Sequence, residues 1–204
     1  MSKTVLLGAT IAAVAVMMLA SPIMADAVSG FFAVAKANKK TIDATVISTS
    51  TIEETGAYGY GVITHKGLDA ILVSTTHGGI QDSAAQTDAS DASFHNHYVK
   101  LTQNDDDVKC PGLEVVDITW DEPGSVTVID NVAVIDGPTK FKSTHSLTEE
   151  KVKFKTKGPV GAVVSFTIDP VDVNGDTISD VADLAAVCIN DVDFAADPNA
   201  EPEV

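Results

Sequence analysis

From residue 41 onward, apolar and polar residues alternate with a period of two. In "TIDATVISTST" (41–51), Ile42, Ala44 and Val46 share one face, and Asp43, Thr45 and Ile47 the other. "GAVVSFTID" (161–169) sets Ala162, Val164, Phe166 and Ile168 on one side. Successive side chains of a strand point to opposite faces, so this is the signature of half-buried strands. The Val, Ile and Thr content argues the same way. "YGYGVITH" (58–65) and "LDAILVSTTH" (68–77) flank Lys66-Gly67, which reads as a two-residue hairpin turn pairing His65 with Leu68. "LEVVDITW" (113–120) and "SVTVIDNVAVID" (125–136) flank a second turn, Asp121-Glu122-Pro123-Gly124. With 94–102, 139–146 and 150–157, the pattern predicts an all-β fold, an antiparallel β-sandwich of about eight or nine strands.

Two stretches depart from period two. Residues 78–93, "GGIQDSAAQTDASDAS", form a polar loop of small residues, long enough to suggest a functional or mobile element. In "SDVADLAAVC" (179–188), Val181, Leu184, Ala185 and Cys188 fall on one helical stripe and Ser179 can cap its start. This predicts one short C-terminal helix. Residues 191–204 are acidic and contain proline, and are expected to be a disordered tail.

The first residues belong to a different class. Lys3, the uncharged run "VLLGATIAAVAVMMLA" (5–20) and "SPIMADA" (21–27) have the order of a secretory signal peptide spanning 1–25. Cleavage is expected after Ala25, or as late as Ala27. An apolar segment, 28–40, then precedes a β-sandwich domain over 41–190. No later segment is long and apolar enough to span a bilayer, so no membrane span is expected after processing.

Charge narrows the choice of partner. The chain carries a net charge of −16, and all its basic residues are lysine. Loss of residues 1–25 removes only Lys3, taking −16 to −17. An acidic surface without arginine repels phosphate and offers no bidentate guanidinium, which argues against nucleic acid and anionic membrane surfaces. Cys110 and Cys188 are the only cysteines. In an exported chain such a pair is expected to form a disulfide, the alternatives being buried thiols or a metal pair.

Candidate chemistry centres on "FHNHYVK" (94–100), where His95 and His97 share a face if the segment is a strand. His77 ends the preceding strand. If strands 68–77 and 94–101 lie antiparallel side by side, His77 meets His95 and His97, and Asp82, Asp88 or Asp91 of the intervening loop can add a carboxylate. Three imidazoles and an oxygen suit zinc or copper. His65 lies at the other end of its hairpin and cannot join them. His65 and His145 read as ordinary surface or hairpin histidines.

A second ion is suggested by "DVNGDTISDVADL" (172–184), in which Asp172, Asn174, Asp176, Asp180 and Asp183 are spaced as positions 1, 3, 5, 9 and 12 of a calcium loop. This stretch resembles the calcium loop of dockerin modules. It departs from that pattern at Thr177, where glycine is usual, at Ser179, where an apolar residue is usual, and at Asp183, which is shorter than the customary glutamate. "KVKFKTK" (151–157) places Lys151, Lys153, Lys155 and Lys157 on one face, as an edge strand protected against sheet-to-sheet aggregation would.

The leader "KTVLLGATIAAVAVMMLASPIMADA", the lysine-only acidic composition and the segment "THGG…HNHYVKL" together resemble the small secreted proteins of ammonia-oxidising marine archaea. The resemblance implies export and no particular activity. The sequence has no GxSxG, HExxH, P-loop or GxGxxG motif. The expected function is that of an exported, non-enzymatic β-sandwich at or outside the cell surface, binding a transition metal. The alternative is a structural subunit of a surface layer or filament, self-associating or joining other surface proteins by strand addition of residues 28–37. A metal-dependent hydrolase or redox enzyme would need an open coordination position.

Overall fold

The computed structural model describes residues 30–103, 110–173 and 184–196. Within them the chain forms twelve strands: β1 (Phe31–Ala37), β2 (Thr41–Ser48), β3 (Tyr58–Thr64), β4 (Ile71–Thr76), β5 (His95–Gln103), β6 (Leu113–Ile118), β7 (Ser125–Ile129), β8 (Val132–Pro138), β9 (Lys140–Thr144), β10 (Lys151–Lys155), β11 (Val160–Asp172) and β12 (Leu184–Phe194). The pairs are antiparallel. Strands β11-β12-β6-β5-β4-β3 close into a barrel, β1-β2-β8-β7 form an open sheet, and β9 and β10 form a separate ribbon. The architecture is thus a sandwich in which one layer has curled shut.

Alternation along β3, β4 and β5 builds both cores at once. On β3, Tyr58, Tyr60 and Val62 point away from the barrel, into a cluster with Leu72 and Tyr98 of the barrel and Phe31, Ile42, Val46 and Ile135 of the open sheet. The intervening β3 residues include Gly59 and Gly61, and that face looks into the barrel. There Ile71, Val73, Val99, Leu101, Val115, Val164, Phe166 and Ile189 form a second cluster. Each such side chain contributes about 1.5–3 kcal/mol when fully buried. Asn96 and Tyr98 tie the layers together: Asn96 Nδ2 donates to the Asp136 carbonyl (3.1 Å) and the Tyr98 hydroxyl to the Pro138 carbonyl (2.8 Å).

Several expectations are corrected. Residues 184–188 are not helical but open strand β12, paired with β11 on one side and β6 on the other. The run Leu184–Ile189 is apolar enough to serve either period, and partners on both flanks decide for the strand. β12 continues to Phe194, past the point where the acidic tail was expected to begin. Residues 125–136 are two strands, because Asp130 adopts φ 53° and, with Asn131, turns the chain so that Ile129 faces Val132. The β3–β4 connection is wider than a two-residue turn, containing a 3-10 turn over Gly67–Asp69. Its register pairs Tyr58 with Thr76 and Ile63 with Ile71, one residue away from the pairing that Lys66-Gly67 implied. The N-terminal apolar segment is not separate from the domain: Phe31–Ala37 pairs along β2 of the same chain. The turn after β6 does occur, and it needs glycine. Gly124 has φ +89°, and a Cβ there would lie 2.1 Å from the Asp136 carbonyl oxygen.

Cys110 and Cys188 are joined in a disulfide. Cys188 lies on β12, so the bond anchors a barrel strand rather than a helix. Closing a loop with a sequence separation of 78 contributes on the order of 4–5 kcal/mol in the chain-entropy account. The lysine-rich strand is β10, with Lys151, Lys153 and Lys155 exposed and Phe154 buried, as its alternation implies. Opposite it, β9 presents Lys142 and Lys140 to Lys153 and Lys155. Among the described residues no helix is long and apolar enough to cross a membrane.

Candidate metal centre

β4 and β5 are antiparallel neighbours, in the register Thr75 to His95 and Val73 to His97. The condition that the histidine spacing required is therefore met. In an antiparallel pair, opposed residues share a face, so His95 and His97 look into the barrel with Val73 and Thr75. Asn96 and Tyr98 look out. His77 follows β4 with the same parity, and its imidazole meets the other two at the barrel rim. The ring centroids of His77 and His95 are 4.9 Å apart, and those of His95 and His97 also 4.9 Å, each pair edge to face.

Asp82 completes the group. One ligand atom from each of His77, Asp82, His95 and His97 lies within 4.8 Å of every other. Asp82 Oδ1 is 3.2 Å from His77 Nε2 and 3.4 Å from both His95 Nε2 and His97 Nε2. His95 and His97 are fully buried, whereas the His77 and Asp82 side chains keep 10% and 15% of their exposure, leaving one side of the cluster open to entry.

The backbone sets the imidazole orientations. His95 Nδ1 lies 2.8 Å from the Ser93 carbonyl and His97 Nδ1 2.7 Å from the Thr119 carbonyl. A carbonyl only accepts, so each Nδ1 must be the protonated nitrogen. In the neutral rings, Nε2 then carries a lone pair, aimed at Asp82. Two lone pairs and a carboxylate oxygen therefore converge in a buried pocket. In keeping with this, Asp82 Oδ1 and His97 Nε2 are buried without a hydrogen-bond partner. Protonating all three rings instead would leave surplus positive charge out of water. A divalent cation satisfies every one of these atoms, and carbonyl-anchored imidazoles are how metal-binding histidines are commonly held.

Burial pushes the Asp82 carboxyl up, but attraction to protonated His97 and His77 and side-chain hydrogen bonds from His77 and His95 outweigh burial and hold it well below the usual carboxylate range. Those causes act when the rings carry protons; a cation at the same point would supply the positive charge in their place.

The long loop has a structural centre at Gln86, which is buried. Its Oε1 accepts from the Asp82 amide (2.8 Å) and the Ser83 amide (3.2 Å), while its Nε2 donates to the Asp91 carbonyl (3.0 Å). Gln86 thereby fixes the backbone that carries Asp82. The other two loop carboxylates are occupied locally. Asp88 accepts from the Ser90 amide, and Asp91 accepts from the Thr87 and Ser93 amides. The repeated Asp-Ala-Ser of 88–90 and 91–93 is a turn signature, and this would have singled out Asp82 from sequence. The roles of Gln86, Ser93 and Thr119 leave no comparable sequence signal.

The remaining candidates stand apart. His65 does not belong to the cluster. His145 is not a surface residue: it is buried, and its Nδ1 accepts from the Leu147 amide at 3.0 Å while Nε2 faces the Val116 carbonyl at 3.3 Å. Of the calcium-loop positions, Asp172 ends β11, whereas Asn174, Asp176, Asp180 and Asp183 lie outside the described residues, as do residues 1–29, where a signal peptide was expected, and residues 197–204. The helix that follows such a loop is replaced here by β12, with Leu184 paired to Asp172.

Comparison with known proteins found no match to any family model, curated protein or solved structure. The fold and the cluster define an antiparallel β protein bearing a histidine–carboxylate group at a barrel rim that could hold a metal ion.

Proposed function

We propose that this is an exported β protein that binds one transition-metal ion, zinc or copper, through His77, His95, His97 and Asp82. The observation that carries this reading is the convergence of the three Nε2 atoms on one buried carboxylate oxygen, with the His95 and His97 orientations set by backbone carbonyls. Three nitrogen ligands and one oxygen match the donor preference of both ions. Export is supported by the disulfide, which persists in oxidising compartments. The role we infer is binding rather than catalysis, at or outside the cell surface.

The test is elemental analysis of protein purified without an affinity tag, paired with melting in the presence of a chelator. One equivalent of zinc or copper, and a lower melting temperature once it is stripped, are expected. Absence of both metals together with unchanged melting would overturn the reading.

A second reading, a subunit of a surface layer or filament, is favoured by one observation. The outer face of the open sheet exposes Phe32, Val34, Ile47, Ile129 and Val134, and the strand register sets Phe32 beside Ile47 and Ile129 beside Val132, which itself faces Ile47. Contiguous apolar surface of this kind marks interaction sites. Concentration-dependent sedimentation that is abolished by Val34→Lys would support assembly; a concentration-independent monomer would exclude it.

A further inference from the structure

The same imidazoles that face Asp82 also border the barrel lumen. The lumen contains a cavity of about 110 Å³. Its polar lining side chains are Thr75, His77, Asp82 and His97. All four lie at the candidate metal centre, where Thr75 Oγ1 stands 3.5 Å from His95 Nε2. The rest of the lining is aliphatic, proline, glycine or Phe166. Gly61 helps to keep the space open: a Cβ there would point at Val164 and Phe166, 3.2 and 3.5 Å from their nearest atoms. An apolar chamber with its few polar groups gathered at one end is the form of a small-molecule site.

Resting on the metal reading above, we propose that the lumen receives a short-chain monocarboxylate, its carboxylate taking a fifth position on the metal beside the three imidazoles and Asp82, and its alkyl chain among the apolar side chains. Charge selects the head. Neutral imidazoles and one aspartate leave a divalent ion with one uncompensated positive charge, and a single anionic group neutralises it in a place where net charge is costly. The apolar walls select the tail and exclude dicarboxylates and amino acids, whose second charge would be buried without a partner. Volume sets the length: an apolar cavity of about 150 Å³ holds the six carbons of benzene, so this smaller one limits the alkyl chain to about four or five carbons.

The experiment is calorimetric titration of zinc-loaded and chelator-stripped protein with acetate, butanoate, hexanoate and decanoate. In the zinc-loaded protein, affinity is expected to rise about fourfold per methylene as far as the cavity can hold, then to stop rising by decanoate. Stripping the zinc should remove the binding. Gly61→Ala, whose Cβ would stand 3.2 Å from Val164 and narrow the lumen, should keep zinc at one equivalent and lower hexanoate affinity at least tenfold. If zinc binds and affinity does not depend on chain length, the lumen proposal is overturned while the metal reading stands. Equal hexanoate binding with and without zinc overturns the metal-anchored carboxylate. Failure to bind either zinc or copper removes the metal reading and this proposal together.

Discussion

The protein has two cores separated by one layer of strands, and they are built on opposite plans. Between the open sheet and the barrel, six aromatic rings pack among aliphatic side chains. Tyr60 packs edge to face on Phe31 and Tyr58, at centroid distances of 5.7 and 6.3 Å, and stacks on Phe94. Tyr98 stacks on Phe154 at 5.5 Å. Inside the barrel the filling is aliphatic, a cavity remains, and one rim ends in imidazoles. β3 shows the division in four residues: Tyr58 and Tyr60 face one core, Gly59 and Gly61 the other. Large rings close the sandwich interface and bind the layers; small residues on the opposite face leave the barrel room to hold something. One core supplies stability and the other supplies a site.

If the division is real, damage to one core should leave the other's property intact. The largest effect is expected from the double variant His95→Ala/His97→Ala. It should lower metal affinity by more than the roughly 10–100-fold that loss of an outer-shell partner brings, and cost the metal-free protein about 1–3 kcal/mol for each of the Ser93 and Thr119 carbonyls left without its donor. Zinc titration followed by urea unfolding checks both halves. Tyr60→Ala is the converse. It should cost about 3–5 kcal/mol, as for other large buried aromatics, yet the folded fraction should still take up one metal ion. A variant that unfolds mildly but loses the metal would break the separation.

Smaller effects sharpen it. Gln86→Ala removes no ligand but frees the Asp82 backbone, and should weaken metal binding about tenfold, with the melting temperature of the metal-free protein changing little. Asp82 also carries a pH signature in the metal-free state. Its carboxyl is held below the ordinary value of 3.8, so it stabilises the fold above that pH, and the contribution disappears as pH falls through the folded-state value. Asp82→Asn should therefore be less stable than the natural protein by about 1–3 kcal/mol near neutrality, and the gap should close on acidification. A gap independent of pH would show that the carboxylate's charge is not what stabilises. Metal affinity should fall with acidification as well, since protons compete for Nε2. The smallest change is Tyr60→Phe. The Tyr60 hydroxyl is buried without a hydrogen-bond partner, and burial holds it protonated. Its removal should be neutral or slightly stabilising, by less than about 1 kcal/mol in urea unfolding.

Period two was enough to read the all-β class, most of the strands, and the shared facing of His77, His95 and His97, because strand alternation is a local property of the backbone. The pairing of cysteines far apart in sequence was expected because Cys110 and Cys188 are the only two. Local signals failed where two backbone states were both acceptable to the residues. Leu184–Ile189 suits a helical stripe or a doubly paired strand, and β6 and β11 on either side decided for the strand. Lys66-Gly67 suits a tight turn, yet the β3–β4 register is set by which faces the two cores bury. Closure of the barrel and the Thr119 carbonyl that orients His97 depend on contacts between distant segments, whereas the local turns that occupy Asp88 and Asp91 were legible in the repeated Asp-Ala-Ser. Sequence therefore determined which residues could be ligands, through type and parity. Only the tertiary structure decided that their lone pairs converge on one point, because convergence is a property of strand order and of the loop folded around Gln86.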